Sequence, residues 1–361
     1  MFMVGHQLVL DAEGKRLHKL RIHDKLVSHP NIRPFNPSTD SIEIKKVQSG
    51  RFHQSAAALS LYCNSSSLKS MMAEDKAPFG YIYSGQNQLH SIGVFRRHDG
   101  PEFVFMIPLQ TNYDVSTIAK LSQDLIECLD TDGAVVRFLD HTSVISLAAD
   151  FGFKLAKETP WHQDAAEEDE SLAFSKIKLP MYSEKLGEIL VRAKNFLARN
   201  GFELAFEPLG DRYDMAYHVI RTHFHQQRHN GTRLVSQPED FCGLLTKEIQ
   251  NLPSVISYLG FIKGKPVSLT ICDSVGNDTV SCYSTVAIRD LTVYFPDMNP
   301  KGSSTLSAYV QAKIAAILES RGVKTYKLGG SEYTSTQEFK ISLGAQPDPS
   351  YWAVLLRSQM L

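Results

Sequence analysis

Between residues 278 and 345 the spacing of apolar positions changes from two to three-and-four and back again. Asp278 to Ile288 alternates and is rich in Val, Thr, Cys and Tyr, which predicts a strand. Arg289 to Lys301 holds two prolines, reads as a loop, and leads into Gly302-Ser303-Ser304. From Thr305 to Arg321 the positions Leu306, Tyr309, Val310, Ile314, Ile317 and Leu318, with the stem of Lys313, fall on one helical face. Gly322 stands just past that helix, where a positive φ ends it. Val323 to Leu328 predicts a short strand broken by Gly329-Gly330. A second helix then carries Phe339-Lys340 and stops at Gly344.

The chain before this region shows the same order once already. Ile42 to Val47 reads as a strand and Phe52 to Tyr62 as a helix. Phe79 to Tyr83, Ser91 to Arg96 and Phe103 to Leu109 are three strands, with turns at Gly85 and His98-Asp99-Gly100. A helix over Val115 to Leu129 aligns Ile118, Leu121, Leu125, Ile126 and Leu129. Val135 to Leu139, a helix over Val144 to Phe151 ended by Gly152, and a strand over Lys154 to Trp161 complete the set. In the C-terminal half, Ser171 to Pro180 and Phe202 to Pro208 read as strands, and Glu184 to Asn200, Tyr213 to Arg228 and Asp240 to Leu252 as helices. Val255 to Ile262 and Val267 to Asp273 form a hairpin around Gly264-Lys265, with Asp273 and Asp278 read as turn residues. Three strands, helix, strand, helix, strand, met twice, imply a tandem duplication of one α/β (α+β) fold, each copy a mixed central sheet flanked by helices. The expected division is an N-terminal arm over 1–40, a first domain over 41–163, a linker over 164–170 and a second domain over 171–361. Five carboxylates in the seven residues Asp164 to Glu170 repel one another and bring no core-forming side chain, hence the linker. An acidic lure for a basic partner is the alternative.

Composition narrows the class. With 43% hydrophobic residues, 21% charged and a net charge of −1, the chain reads as globular and not as a protein wrapped on nucleic acid, so no DNA partner is expected. No apolar run is long enough for a bilayer and Met1 to Leu10 lacks signal-peptide organisation, so no membrane span and a cytoplasmic location are expected. Five widely spaced cysteines, none in CxxC, fit reduced buried thiols, with a nucleophilic cysteine as the alternative.

Two stretches can bind anions. A strand leading through Lys301, Gly302, Ser303 and Ser304 into a helix N-terminus offers backbone N–H groups and the positive dipole end to a phosphate. An ordinary crossover turn uses the same residue types. From Met215 to Pro238 no carboxylate occurs, while Arg221, Arg228, Arg233, His223, His225 and His229 all do. That stretch suits a phosphate-bearing donor or an RNA 3′ end, or is a solvated basic face. His225 and His229 are four apart, but no third ligand lies near, so no metal is expected.

Gly302-Ser303-Ser304-x-Leu306, Arg321-Gly322-Val323, Leu328-Gly329-Gly330-Ser331-Glu332 and Phe339-Lys340-x3-Gly344 resemble the C-terminal half of the GNAT N-acyltransferase fold. The likeness is to its FemAB-type, phosphatidylglycerol-lysyltransferase-type and related acetyltransferase branches. It implies tandem GNAT-like domains, an acyltransferase or aminoacyltransferase activity, and a place for Lys340 at the acyl site, contacting an oxyanion or a phosphate. A surface lysine beside a core Phe339 is the alternative. Glu332, after Gly329-Gly330 at a strand end, is a candidate to take the amine proton or to cap the next helix. Tyr283 and Tyr326, on the strands flanking the donor helix, are candidates to protonate a leaving group or ordinary half-buried strand tyrosines.

The phosphate loop of the acetyltransferases is reduced here to Asn299-Pro300-Lys301-Gly302-Ser303-Ser304, which favours aminoacyl-tRNA over acyl-CoA as co-substrate; no tightly bound cofactor is expected. Without a serine or cysteine beside a base, direct attack by a small-molecule or peptide amine or hydroxyl is expected. In the first copy the equivalent turn is Thr111-Asn112-Tyr113-Asp114, whose acid caps the helix and repels phosphate, so that copy is expected to be inactive. A non-catalytic binding module or acyl-carrier sensor is the competing reading.

Overall fold

The computed structural model describes residues 24–35, 40, 80–84, 87–96, 102–110, 113–155, 175–229, 238, 242, 245, 247–251, 255–274, 278–329, 334–347 and 351–360. The strand expected at Ile42 to Val47, the helix at Phe52 to Tyr62 and the acidic linker lie outside these residues. The strands are β1 (Ile32–Pro34), β2 (Tyr81–Tyr83), β3 (Gln88–Arg96), β4 (Glu102–Pro108), β5 (Gly133–Leu139), β6 (Lys154–Leu155), β7 (Ser175–Lys178), β8 (Leu204–Pro208), β9 (Val255–Ile262), β10 (Lys265–Ser274), β11 (Thr279–Ala287), β12 (Thr325–Gly329), β13 (Gln346–Pro347) and β14 (Tyr351–Leu356). The helices are α1 (Val115–Leu129), α2 (His141–Phe151), α3 (Glu184–Arg199), α4 (Tyr213–His229), α5 (Lys247–Gln250), α6 (Leu306–Glu319) and α7 (Thr334–Ser342). The chain forms two compact units.

In one unit the sheet order is β1-β2-β3-β4-β5-β14-β6. Only β4 and β5 run parallel, and parallel neighbours need a crossover, which α1 supplies. The periodic residues Ile118, Leu121, Leu125, Ile126 and Leu129 are all buried, packed with Val104, Met106, Ala134 and Val136 of the sheet. At the helix start Asp114 Oδ2 accepts hydrogen bonds from the Thr117 amide and hydroxyl, each at 2.8 Å, and from the Ser116 hydroxyl. Those bonds, the one from Ser116 foremost, hold the carboxyl below its ordinary pKa. The cap expected of this acid is in place.

The other unit has the order β13-β7-β12-β11-β10-β9-β8, again with one parallel pair, β11 and β12, joined by α6. Leu306, Tyr309, Val310, Ile314 and Leu318 are buried as the periodicity predicts. Lys313 is exposed, its ammonium 5.4 Å from the Tyr309 ring, and Gln311 takes the inward position instead.

Two expected boundaries move. The arm expected over 1–40 supplies β1, paired with β2 through Ile32–Tyr83 to Pro34–Tyr81. The second domain expected over 171–361 does not keep its last strand: β14 lies between β5 and β6 of the first sheet. A short strand's alternation states which face is buried but not which edge it pairs with, and that choice is tertiary. Here Gly133 decides the fit, because a Cβ on it would stand 2.5 Å from the Leu355 carbonyl oxygen. Arg357 closes the seam, donating its amide to the Asp132 carbonyl at 2.9 Å and pairing with Asp130 at 2.6 Å.

Deleting residues 349–361 therefore exposes the β5 edge and removes the buried Trp352, Ala353, Val354 and Leu355 from the first sheet. Amide exchange in Gly133–Leu139 should accelerate strongly while Thr279–Ala287 keeps its protection. Equal loss in both segments would contradict this assignment.

Candidate functional site

The β11–α6–β12 crossover creates an opening. Parallel pairing holds for three pairs only, Thr279–Thr325, Val280–Tyr326 and Ser281–Lys327, and β11 then continues to Ala287. Just past the last pair β11 bulges. Ser284 opposes Ile271 and Cys282 opposes Cys272, so Tyr283 is the inserted residue. A bulge bends the strand and re-aims the side chains on either side of it. Cys282 and Thr285, three apart, share one face, with Cys282 Sγ 3.4 Å from Thr285 Oγ1 and Thr285 Oγ1 3.2 Å from Thr270 Oγ1. Tyr283 and Ser284 turn to the other.

The face of Cys282 is a buried polar patch under α6. Tyr326, fully buried, donates its hydroxyl to Gln311 Oε1 of α6 at 2.8 Å. Burial, with the neighbouring thiols Cys282 and Cys272, drives the phenol well above its ordinary pKa. The Cys282 thiol is held low, chiefly by a hydrogen bond with Cys272, helped by Thr285, Tyr326 and the charge of Lys340 against the opposing effect of burial. Cys272 moves the other way for the same reason and because it is buried. Lys340, arriving on α7, is 5% exposed, so the surface-lysine reading is overturned; Phe339 beside it is half-buried. α7 ends as expected at Gly344, with φ 89°.

Tyr283 does not join this group. Its hydroxyl lies 3.4 Å from Asp273 Oδ2 on the opposite face, where Ser281 and Ser284 are also buried. Asp273 is in β10, which runs on to Ser274, and is fully buried, so it is not a turn residue. Thus Tyr326 and Lys340 converge near Cys282 and Tyr283 stands apart. Glu332 and Gly330 lie outside the described residues, while Gly329 ends β12 opposite Ser175.

The loop before α6 is firmly held. Arg199 donates to the Lys301 carbonyl at 3.1 Å, and Asn200 exchanges bonds with the Asn299 backbone at 2.7 and 3.0 Å, fixing the loop to the end of α3. Gly302 has φ 95°, and a Cβ there would lie 3.2 Å from Phe196 Cβ, so glycine is needed both for conformation and for space. The loop amides are partly committed: Lys301 donates to Asn299 Oδ1, Ser303 to the Pro300 carbonyl, Thr305 to the Gly302 carbonyl and Leu306 to the Ser303 carbonyl. Those bonds leave the loop fewer amides for a ligand than a turn rich in glycine would offer.

Arg289 was not singled out by sequence. It follows β11 and is exposed, with its Nε 3.4 Å from Ser307 Oγ in the first turn of α6. Gln226 of α4 holds this segment by accepting from the Arg289 and Asp290 amides at 3.1 and 3.2 Å and donating to the Asp290 carbonyl at 2.7 Å. No local motif marks either residue, because the contact joins positions 63 or more apart. Arg228, His225 and His229 are exposed on α4, and Arg233 lies outside the described residues. Among the described residues no group of three or more His, Cys, Asp or Glu can hold a metal. No helix among them is long and apolar enough to cross a membrane.

Two mixed sheets, each with a helix bridging its one parallel pair and helices flanking it, define a tandem GNAT-like α/β protein, the fold the sequence resemblance implied. The comparisons agree. A conserved protein of unknown function from Bacteroides thetaiotaomicron superposes with a TM-score of 0.58 at 11% identity, over 90% of this chain and 99% of that one. The C-terminal domain of a putative lysylphosphatidylglycerol synthetase from Agrobacterium fabrum does so with 0.53 at 12% identity, over 94% and 93%. At these identities the likeness is one of fold. No protein-family model and no curated protein sequence matches the chain.

Replacing Tyr326 by Phe leaves the buried Gln311 Oε1 without its donor. Denaturant unfolding should show a loss of about 1–3 kcal/mol. No change in midpoint would mean that the hydroxyl and amide are not held together in solution.

Proposed function

We propose that the unit built on β11, α6 and β12 transfers an acyl or aminoacyl group from a phosphate-bearing carrier to an amine or hydroxyl. The observation that carries this reading is the buried Lys340, whose charge acts on Cys282 at the first position past the last β11–β12 pair, together with Arg289 against Ser307 in the first turn of α6. Arg289 and the amides of Gly302 and Ser304 would take the carrier's phosphate, with Lys301 and Ser303 at its edge. Lys340 would stabilise the oxyanion formed when the acceptor attacks the carbonyl, where a positive charge in a dry site acts most strongly. Tyr326 already gives its proton to Gln311, so its part would be to position the Cys282–Lys340 face and not to protonate the leaving group. Glu332 is retained as the candidate for the amine proton. The first copy would serve as support, since Asp114 occupies its helix start. Acyl-CoA and aminoacyl-tRNA are the two co-substrates to compare. The self-bonded amides of the donor loop favour the competing reading, a non-catalytic module that senses an acyl carrier.

Turnover and binding separate them. With coenzyme A and deacylated tRNA as binding probes and a panel of amines as acceptors, Lys340→Met should lower turnover about a hundredfold or more with probe affinity little changed. A fully active variant would remove Lys340 from the chemistry. Tight probe binding with no turnover for any acceptor in the wild-type chain would establish the sensor.

Arg228 tests the basic helix separately. Arg228→Glu should weaken tRNA binding and make its dependence on salt shallower by the counterions no longer released. An identical salt slope would leave the α4 surface as a solvated face.

A further inference from the structure

Cys272 and Cys282 face each other directly across the antiparallel pair β10–β11, on the side of the sheet that carries Tyr326. Opposed residues in such a pair have Cα atoms about 4.5–5.5 Å apart, inside the roughly 4.4–6.8 Å that a disulfide spans. The two thiols are free, and each shifts the pKa of the other. Their surroundings give them no other evident task. They belong to no metal-binding group among the described residues, and the face they share also carries Thr270, Thr285 and Tyr326. Cys272 is fully enclosed, whereas Cys282 keeps 7% of its surface and sits at the first position past the last β11–β12 pair.

We propose that Cys272 and Cys282 are a reversible dithiol–disulfide site, oxidised by a hydroperoxide, and that closing it silences the neighbouring Lys340 face. Cys282 reacts first: its sulfur attacks the peroxide, the S–O bond forms as the O–O bond breaks, and hydroxide leaves. Cys272 sulfur then attacks the sulfenic sulfur, the S–S bond forms and the S–O bond breaks, releasing water. The pair loses two electrons and the peroxide gains them; the thiol protons end on its two oxygens. The order follows from the environment, since the groups around Cys282, the Lys340 charge among them, favour its thiolate while Cys272 is held protonated. Once linked, Cys282 offers Lys340 no anion, so the field at that ammonium changes and the strands on either side of the bulge are tied together. The proposal rests on the acyl-transfer reading only for the activity that oxidation would silence.

The test uses the full reduced chain and hydrogen peroxide, followed by alkylation in denaturant and peptide mapping. The expected product joins the Cys272 and Cys282 peptides with loss of two hydrogens and returns to free thiols with dithiothreitol. In Cys272→Ser the link is absent and Cys282 is trapped as its sulfenic acid by a dimedone probe. Recovery of both residues as alkylated thiols while Cys128 or Cys242 is oxidised overturns the site, as does linkage of Cys282 to another cysteine. Linkage is read without turnover, so a chain that links reversibly yet transfers nothing keeps the dithiol and removes the acyl-transfer reading. An active chain whose turnover is the same linked and reduced overturns the silencing.

Discussion

Two parallel strands cannot be joined by a hairpin, and much of the candidate site depends on that constraint. β11 and β12 need a crossover, α6 is that crossover, and its N-terminus must begin at the end of the sheet where β11 finishes. The pairing holds for only three residue pairs before the bulge at Tyr283 turns β11 aside. Access to the buried polar face follows from that parting: backbone at its rim is left to the loop before α6, and side chains at its floor come from both strands.

The floor is costly to build. Burying Lys340, Tyr326, Thr270 and two thiols, with Thr285 half-buried beside them, forgoes apolar packing, and each polar group has to find a partner. Tyr326 finds Gln311, the threonines find one another, and Cys282 interacts with Cys272 and Lys340. A core selected for stability alone would place aliphatic side chains here, as β10 does on its other face with Val267, Leu269 and Ile271. Buried polar groups stand on both faces, with Asp273, Ser281 and Ser284 on the other, but the face under the crossover is the one that carries Tyr326 and the thiol pair.

The two copies share a topology and differ at one chemical point. At the helix after the first parallel pair Asp114 satisfies the terminal amides with its own carboxylate. At the equivalent place in the second copy Gly302 and Thr305 make no side-chain cap, and the turn is held from outside by Arg199 and Asn200. One helix start is closed by a negative charge and the other is left with backbone.

By itself the sequence determined the elements whose signal is periodic and local. Ile118, Leu121 and Leu125 announce α1, Leu306, Ile314 and Leu318 announce α6, Gly322 and Gly344 mark helix ends, and the repeated order of elements announces the duplication. The resemblance around Phe339-Lys340 singled out a lysine, and its burial became visible only in the fold. Tertiary structure decided what periodicity does not encode. Strand alternation does not name a partner, so β14 could be assigned to the first sheet only once its pairing with β5 was seen. A bulge shifts which residues share a face, so the separation of Tyr283 from Tyr326 was hidden in an unbroken run of strand-forming residues. Cys272 and Cys282 are ordinary apolar-strand cysteines in the sequence, and Arg289 is an ordinary loop arginine. Register and packing across the sheet, which bring distant residues within a few ångströms, gave each its place.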